Sequence, residues 1–226
     1  MQNGSDLMKR VLTFIHTSPA AIGPLMQFYS KAEPEWEITN LLDDGILRFF
    51  KAGQLDLVEE RLREMLAAAR TTYEAEAALI TCSSVPSTMV QTLAEASPMP
   101  VLKIDDPMAQ RAVETGSRIG VAVTFAPTQE PTRRLLAEAA ARANRRIDLD
   151  IEVIEGAYDA LLTNDFEKHD GLLIEACERL ASHSAEVIVL AQVSMARAED
   201  RIRQRVNVPV YSSLSTSLEA LRKLLG

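Results

Sequence analysis

The chain of 226 residues is poor in cysteine, aromatic residues and positive charge. It has two cysteines, one tryptophan and 5% aromatic residues. Cys82 and Cys177 are too few and too far apart for a zinc site of the CxxC type. The 24 lysines and arginines are outnumbered by 32 aspartates and glutamates. The resulting net charge of −8 argues against nucleic acid or an anionic membrane as the partner.

The sequence also lacks a membrane-spanning run, a secretory signal and a nucleotide-binding motif. No apolar stretch approaches the roughly 18 to 20 residues that cross a bilayer. Residues 1–10 are polar, and the apolar run that follows is short for a signal peptide. Neither GxGxxG nor a P-loop is present. We therefore expect a cytoplasmic protein with reduced thiols, and we expect residues 1–7 to lie outside the fold.

Eight short apolar runs alternate with longer amphipathic segments. A run such as Val187–Ala191 has no polar alternation, which is typical of a strand covered by helices on both faces. Parallel neighbours of this kind need right-handed helical crossovers. The predicted strands are Arg10–His16, Glu37–Leu42, Ala77–Cys82, Val101–Ile104, Ile119–Phe125, Leu149–Ile154, Glu186–Gln192 and Val208–Ser212. The predicted helices are Leu55–Arg70, Pro86–Ala96, Asp106–Thr115, Glu130–Asn144, His169–Ser182, Ala196–Arg205 and Ser215–Leu225.

The two halves of the chain look alike. ALITCSS at 78–84 and VIVLAQVS at 187–194 are each an apolar strand that ends in small polar residues before a helix. The sequence therefore predicts an α/β fold of two pseudo-symmetric lobes, each a mainly parallel sheet flanked by helices. We expect residues 1–105 plus 206–226 to form the first lobe and residues 106–205 the second. Because such sheets bind ligands at the carboxyl ends of their strands, we expect the active site in the cleft between the lobes.

Hydroxyl side chains are frequent in the loops that follow the predicted strands. Hydroxyls and the N–H groups of helix N-termini can hold a carboxylate without a full positive charge. Serine and threonine also cap helices, and for any one residue capping is the simpler interpretation. The candidate substrate-binding residues are His16, Ser18, Asp43, Ser83, Ser84, Thr124, Thr128 and Ser194.

Cys82 is the candidate catalytic residue. It ends a predicted strand and precedes two serines and a helix N-terminus, a setting that lowers the pKa of a thiol. A thiolate there could abstract a carbon-bound proton or attack an activated double bond. The alternative is a small buried apolar residue, which is the role expected of Cys177 inside its helix.

Two other residues have open interpretations. His16 could be an acid, a base or a hydrogen-bond donor, or a neutral histidine satisfied by the protein. Asp43 could pair with Asp44 as acid and base, or the Asp-Asp-Gly sequence could form an ordinary turn.

The chain resembles the aspartate/glutamate/hydantoin racemase superfamily, whose relatives include maleate isomerases and arylmalonate decarboxylases. The resemblance covers Lys9–Leu225, and the order and spacing of its motifs are fairly specific for the superfamily but not for a substrate. Its motifs are FIHTSPA (14–20), LLDDGIL (41–47), ITCSS (80–84), IGVAVTFAPT (119–128) and VIVLAQVSM (187–195). The resemblance implies no cofactor, because thiols and oxyanion donors can transfer a proton at an acidified carbon by themselves.

The resemblance also implies a role for Gln192. In the racemases that this chain resembles, one cysteine removes the α-proton and a second returns it on the opposite face. Cys82 matches the first cysteine. The second falls where family members read Gly-Cys and this chain reads Ala191-Gln192. An amide has no proton to lose at neutral pH, so Gln192 cannot replace a thiol as acid or base, although it can donate hydrogen bonds.

Three functions stay open. The first is a racemase-like enzyme in which Cys82 acts with water, His16 or another group at the α-carbon of a small carboxylate, amino acid or hydantoin. The second is a one-cysteine isomerase or decarboxylase of a small dicarboxylate. The third is a non-catalytic small-molecule binding protein. We expect a small carboxylate as substrate, no metal and a homo-oligomer.

Overall fold

The computed structural model describes residues 9–226, and the residues 1–7 that we expect outside the fold lie outside this range. The chain divides into two compact units. The first runs to Lys103 and includes Leu221–Gly226, and the second is Ile104–Ala220. Each unit contains one four-stranded sheet. None of the helices in the described range is long and apolar enough to cross a membrane.

The first unit is built on a parallel sheet whose two central strands are almost wholly buried. Its strands are β1 (Val11–His16), β2 (Glu37–Leu42), β3 (Ala77–Ile80) and β4 (Val101–Lys103), in the order β2-β1-β3-β4. Its helices are α1 (Ile22–Ala32), α2 (Ile46–Lys51), α3 (Leu55–Thr71) and α4 (Ser87–Ala96). The core packs Ile15 and Ile80 of the central strands against Leu62 of α3 and Leu93 of α4.

The second unit has the same strand order. Its strands are β5 (Arg118–Val123), β6 (Asp148–Val153), β7 (Val187–Leu190) and β8 (Val210–Ser212), in the order β6-β5-β7-β8. Its helices are α5 (Asp106–Thr115), α6 (Gln129–Arg142), α7 (Ala157–Leu162), α8 (Phe166–Ser182), α9 (Glu199–Arg203) and α10 (Ser213–Leu225), of which the last five residues belong to the first unit. Successive residues of β7 enter separate cores, Ile188 on one face and Val189 on the other, because strand side chains alternate.

The predicted fold class is confirmed, since both sheets are parallel and flanked by helices. Each of the eight predicted strands overlaps an observed strand. Three helices were missed. Helices α2 and α7 have six residues each, too few to show a helical period, and Gly23-Pro24 interrupts the pattern at the start of α1. The predicted helix Ala196–Arg205 is a 3₁₀ helix, Val193–Ala198, followed by α9.

The C-terminal segment differs from the prediction. Residues 206–226 were expected in the first lobe, but β8 pairs with β7, with Ile188 opposite Val210 and Leu190 opposite Ser212. A parallel neighbour needs a helical crossover, and the short segment Val193–Arg203 provides one. Only Leu221–Gly226 belongs to the first unit, where Arg222 forms an ion pair with Glu33.

Candidate active site

The shared topology of the two units gives Cys82 and Gln192 equivalent positions. Cys82 lies two residues beyond β3, and Gln192 lies two residues beyond β7. The backbone supports the equivalence, because Thr81 N donates to Ile15 O at 3.0 Å and Ala191 N donates to Ala122 O at 3.2 Å. Each residue therefore follows the strand that lies beside the central strand β1 or β5 of its own unit.

Cys82 lies in a loop with unused polar groups. The thiol is half-buried and its side chain packs against the core of the first unit. Ser83 and Ser84 are exposed and have no hydrogen-bond partner within residues 9–226. Pro86 is the N-cap residue of α4 and forms no side-chain cap. These two serines therefore do not cap α4, and their hydroxyls are available to a ligand.

Cys177 has the structural role expected of it. It is fully buried in α8 among the side chains of the second unit's core. Burial, with a smaller contribution from the carboxylate of Glu152, raises the pKa of the Cys177 thiol to about 12. A thiol with that pKa is neither a nucleophile nor a base near neutral pH.

His16 is satisfied by the protein and has no ring nitrogen free for a substrate. Its side chain is fully buried at the end of β1. Its Nε2 is 2.8 Å from Oδ1 of Asn40 in β2, and its Nδ1 is 2.8 Å from the hydroxyl of Thr81 after β3. Burial lowers the pKa of His16 more than the bond to Asn40 raises it, so the neutral ring is favoured. His16 thus ties three strand ends together, and its predicted contact with substrate has no support in this geometry.

Asp43 forms the turn that its sequence context also allowed. Its Oδ1 accepts a hydrogen bond from Gly45 N at 3.0 Å, and its Oδ2 accepts one from Arg61 Nε at 2.9 Å. The carboxylate lines a surface groove of about 460 Å³ whose walls include Met65 and Tyr73. Because both oxygens already have partners, Asp43 is poorly placed to act with Asp44 as an acid–base pair on a substrate.

Gln192 reaches across its sheet to the end of β5. Its Oε1 accepts a hydrogen bond from Thr124 N at 2.7 Å. The bond fixes the amide so that Nε2, a donor, has no partner among the described residues. The neighbouring Thr124 hydroxyl is buried and also lacks a partner there. A buried unpaired hydroxyl costs free energy, so this pair of unused polar groups is typical of a site that a ligand completes.

Of the remaining predicted residues, two use their hydroxyls in local hydrogen bonds and one has a hydroxyl that is unpaired within residues 9–226. Ser18 caps the 3₁₀ turn Pro19–Ala21 by accepting a hydrogen bond from Ala20 N at 3.4 Å. The Thr128 hydroxyl donates to Phe125 O at 2.6 Å and closes its own turn. Ser194 is half-buried in the 3₁₀ helix after β7 and has no partner in the described range.

Sequence reasoning missed the residues that position others. Asn40 and Thr81 hold the His16 ring, and their polar side chains within or beside apolar strands were the available signal. Thr17, almost fully buried, is the first-unit equivalent of Thr124. Within residues 9–226, no three His, Cys, Asp or Glu side chains are grouped as metal ligands.

Several solved structures with a similar fold are named as racemases or decarboxylases. The structure of unliganded arylmalonate decarboxylase has 16% sequence identity to this chain and a TM-score of 0.66. The match covers 96% of this chain and 93% of the decarboxylase chain. Allantoin racemase from Pseudomonas fluorescens is 17% identical with a TM-score of 0.64, covering 96% and 91%. An aspartate racemase homologue from Pyrococcus horikoshii is 14% identical with a TM-score of 0.66, covering 96% and 99%. At these identities the similarity establishes the fold alone.

The sequence itself matches one family. A comparison with curated proteins gave no match. The sequence profile of the family described as Asp/Glu/Hydantoin racemase matches residues 48–221, which is more than half of the chain and includes both Cys82 and Gln192. The chain therefore belongs to the Asp/Glu/hydantoin racemase family.

Proposed function

We propose that this protein is a cofactor-independent enzyme in which Cys82 transfers a proton at the α-carbon of a small carboxylate, amino acid or hydantoin. One observation carries the proposal. The position equivalent to Cys82 in the second unit holds Gln192, whose amide cannot gain or lose a proton near neutral pH. A two-thiol cycle is therefore reduced to one proton-transferring side chain.

The proposed step balances with a single thiol. The thiolate of Cys82 takes the α-proton, becomes a neutral thiol, and leaves the electron pair on the substrate as an enolate. The proton on the thiol exchanges with solvent, and return of a solvent-derived proton from the same thiol regenerates the thiolate and rebuilds the bond on the same face. His16 does not serve as a second acid here, because both of its ring nitrogens have protein partners.

The enolate needs hydrogen-bond donors placed in advance. We assign this role to the Gln192 amide nitrogen and to the hydroxyls of Ser83, Ser84, Thr124 and Ser194, which have no partner in the described part of the chain. The local bonds of Ser18 and Thr128 argue against the same role for their hydroxyls. The proposal includes a cytoplasmic location, where the thiol stays reduced.

A one-thiol site also suits a decarboxylase, and this is the second candidate. Loss of carbon dioxide from a dicarboxylate leaves an enolate that needs one proton on one face. Cys82 would donate that proton as a neutral thiol and become a thiolate. The fold similarity to arylmalonate decarboxylase fits this reaction without establishing it.

Deuterium incorporation tests both candidates. The protein is incubated in deuterated water with a panel of small amino acids, hydantoins and malonates, and deuterium at the α-carbon of substrate or product is measured by NMR. We expect incorporation in wild type and in Cys177→Ala. Cys82→Ala should reduce it by at least about a hundredfold, the usual contribution of a positioned acid–base group.

Two results would contradict the proposal, and a third would show that the variants are misfolded. Unchanged incorporation in Cys82→Ala would exclude this thiol as the proton-transferring group. Equal losses in Cys177→Ala and Cys82→Ala would indicate damage to the fold. Tight binding of a panel member with no incorporation in wild type would favour a non-catalytic binding protein.

A further inference from the structure

Two stacked aromatic rings lie at the carboxyl edge of the second sheet. Phe125 follows Thr124 just beyond β5, and Tyr158 lies in the first turn of α7, which follows β6. The ring centroids are 4.7 Å apart and the ring planes are inclined by 30°. Phe125 is nevertheless 40% exposed. The pair therefore presents aromatic surface to solvent beside Thr124, whose backbone N–H donates a hydrogen bond to Gln192.

The first unit shows that the fold does not require this pair. The strand registers make Ile15 equivalent to Ala122 and Leu42 equivalent to Val153. By the same count, Ser18 stands where the second unit has Phe125, and Leu47 stands where it has Tyr158. Glycines precede both short helices, Gly45 before α2 and Gly156 before α7. The first unit therefore has the same topology as the second without the aromatic pair.

The pair is held in place by the backbone around it. Phe125 O accepts from Thr128 N at 2.9 Å and from the Thr128 hydroxyl at 2.6 Å. Gly156 adopts a left-handed conformation, with φ of 74°, that turns the chain from β6 into α7. The Tyr158 hydroxyl has no partner in the described range. An aromatic surface next to a few unpaired polar groups is the usual composition of a small-molecule site.

We propose that Phe125 and Tyr158 determine specificity by stacking against a planar, conjugated substituent on the α-carbon of the substrate. This inference rests on the proposed function and narrows it to substrates larger than simple aliphatic amino acids. Stacking of two aromatic rings contributes more binding free energy than the buried area alone provides, and a puckered ring of the same size lacks this contribution. The preference for a flat ring over a puckered one should be about tenfold.

Phenylglycine and cyclohexylglycine are the test substrates, because they share the carboxylate, the amine and the α-carbon. Rates of α-deuterium incorporation are compared for wild type, Tyr158→Leu and the double variant Phe125→Ser/Tyr158→Leu. These substitutions introduce the residues that the first unit carries at the equivalent positions. Tyr73→Leu, which changes an exposed tyrosine of the first unit, is the matched control.

We expect the rate ratio of phenylglycine to cyclohexylglycine, which also contains the greater acidity of a benzylic α-proton, to be about tenfold higher in wild type and in Tyr73→Leu than in the double variant. Tyr158→Leu should lower the ratio, while Tyr158→Phe should keep it. A ratio that is the same in wild type and in the folded double variant, or that the folded Tyr158→Leu variant leaves unchanged, would overturn the inference.

Binding separates this inference from the proposed function. If wild type exchanges neither amino acid, the proton-transfer proposal fails for this class, and calorimetric Kd values for the same two compounds decide the specificity proposal. Tighter binding of phenylglycine, lost in the double variant, supports stacking. Equal binding of the two compounds, or binding of neither, contradicts it.

Discussion

Alkylation of the folded protein should modify Cys82 and spare Cys177. Burial raises the pKa of Cys177 to about 12, so at pH 8 only about one molecule in ten thousand carries its thiolate. An ordinary thiol with a pKa of about 8.5 is roughly one-quarter thiolate at that pH. Cys177 also has 0% exposure, so a reagent reaches it only after α8 opens. Together these effects should slow Cys177 by more than about a thousandfold relative to an ordinary thiol.

The assay is brief treatment with iodoacetamide at pH 8 followed by peptide mass mapping. Cys82, half-buried in the loop after β3, should be labelled during the first minutes. In concentrated urea both cysteines should react at similar rates, which checks that each peptide is detected. Labelling of Cys177 first, or of both equally in the folded state, would refute the assignment of Cys82 as the accessible thiol.

Three further predictions concern stability. The free energy of unfolding should fall as the pH drops below 6.5, because the pKa of His16 is lowered in the folded protein and the unfolded chain therefore takes up the proton at a higher pH. In urea titrations, His16→Asn should lack this pH-dependent component. Gly120→Ala should destabilise the protein by about 1–3 kcal/mol, since the new Cβ would lie 3.1 Å from the Cβ of Leu180. Gly171→Ala, which has open space around it, should be neutral or stabilising. Thermal unfolding measures both. Asp165→Ala should cost about 0.5–2 kcal/mol by the same measurement, because Asp165 caps α8 at Lys168 N, and Asp165→Asn should retain most of the stability.

The fold class could be predicted because buried parallel strands have uninterrupted apolar sequences. Val187–Leu190 and Ala77–Ile80 are fully buried, and each was visible as such a run. Which sheet a strand joins is a different question. The pairing of β8 with β7 depends on the path of a short crossover, and a three-residue strand carries no pattern that specifies its neighbour.

The site could be predicted only as far as neighbouring residues determine it. Cys82 was identified from its strand and the following serines. The partners of His16 are 24 and 65 residues away, and the partner of Gln192 is 68 residues away, so no local pattern indicates them. The hydroxyl-rich loops looked equivalent in sequence. Tertiary contacts separate the Thr128 hydroxyl, used by its own turn, from the unpaired Thr124 hydroxyl.

The stereochemical course of proton exchange tests the central claim, which is that a single thiol removes and returns the α-proton on one face of the substrate. Single enantiomers of a substrate identified by deuterium incorporation are incubated in deuterated water and analysed by chiral chromatography. Wild type should incorporate deuterium with retention of configuration. Gln192→Cys should racemise, because it restores a thiol at the position equivalent to Cys82, and Val193→Cys should not.

Adding Cys82→Ala to Gln192→Cys should remove the racemisation, because neither thiol completes a two-base cycle alone. Retention in wild type, together with racemisation that appears in Gln192→Cys and disappears in the double variant, is the result that the one-thiol mechanism predicts. Efficient racemisation of both enantiomers by wild type would contradict it, since a second proton donor would then have to act on the opposite face.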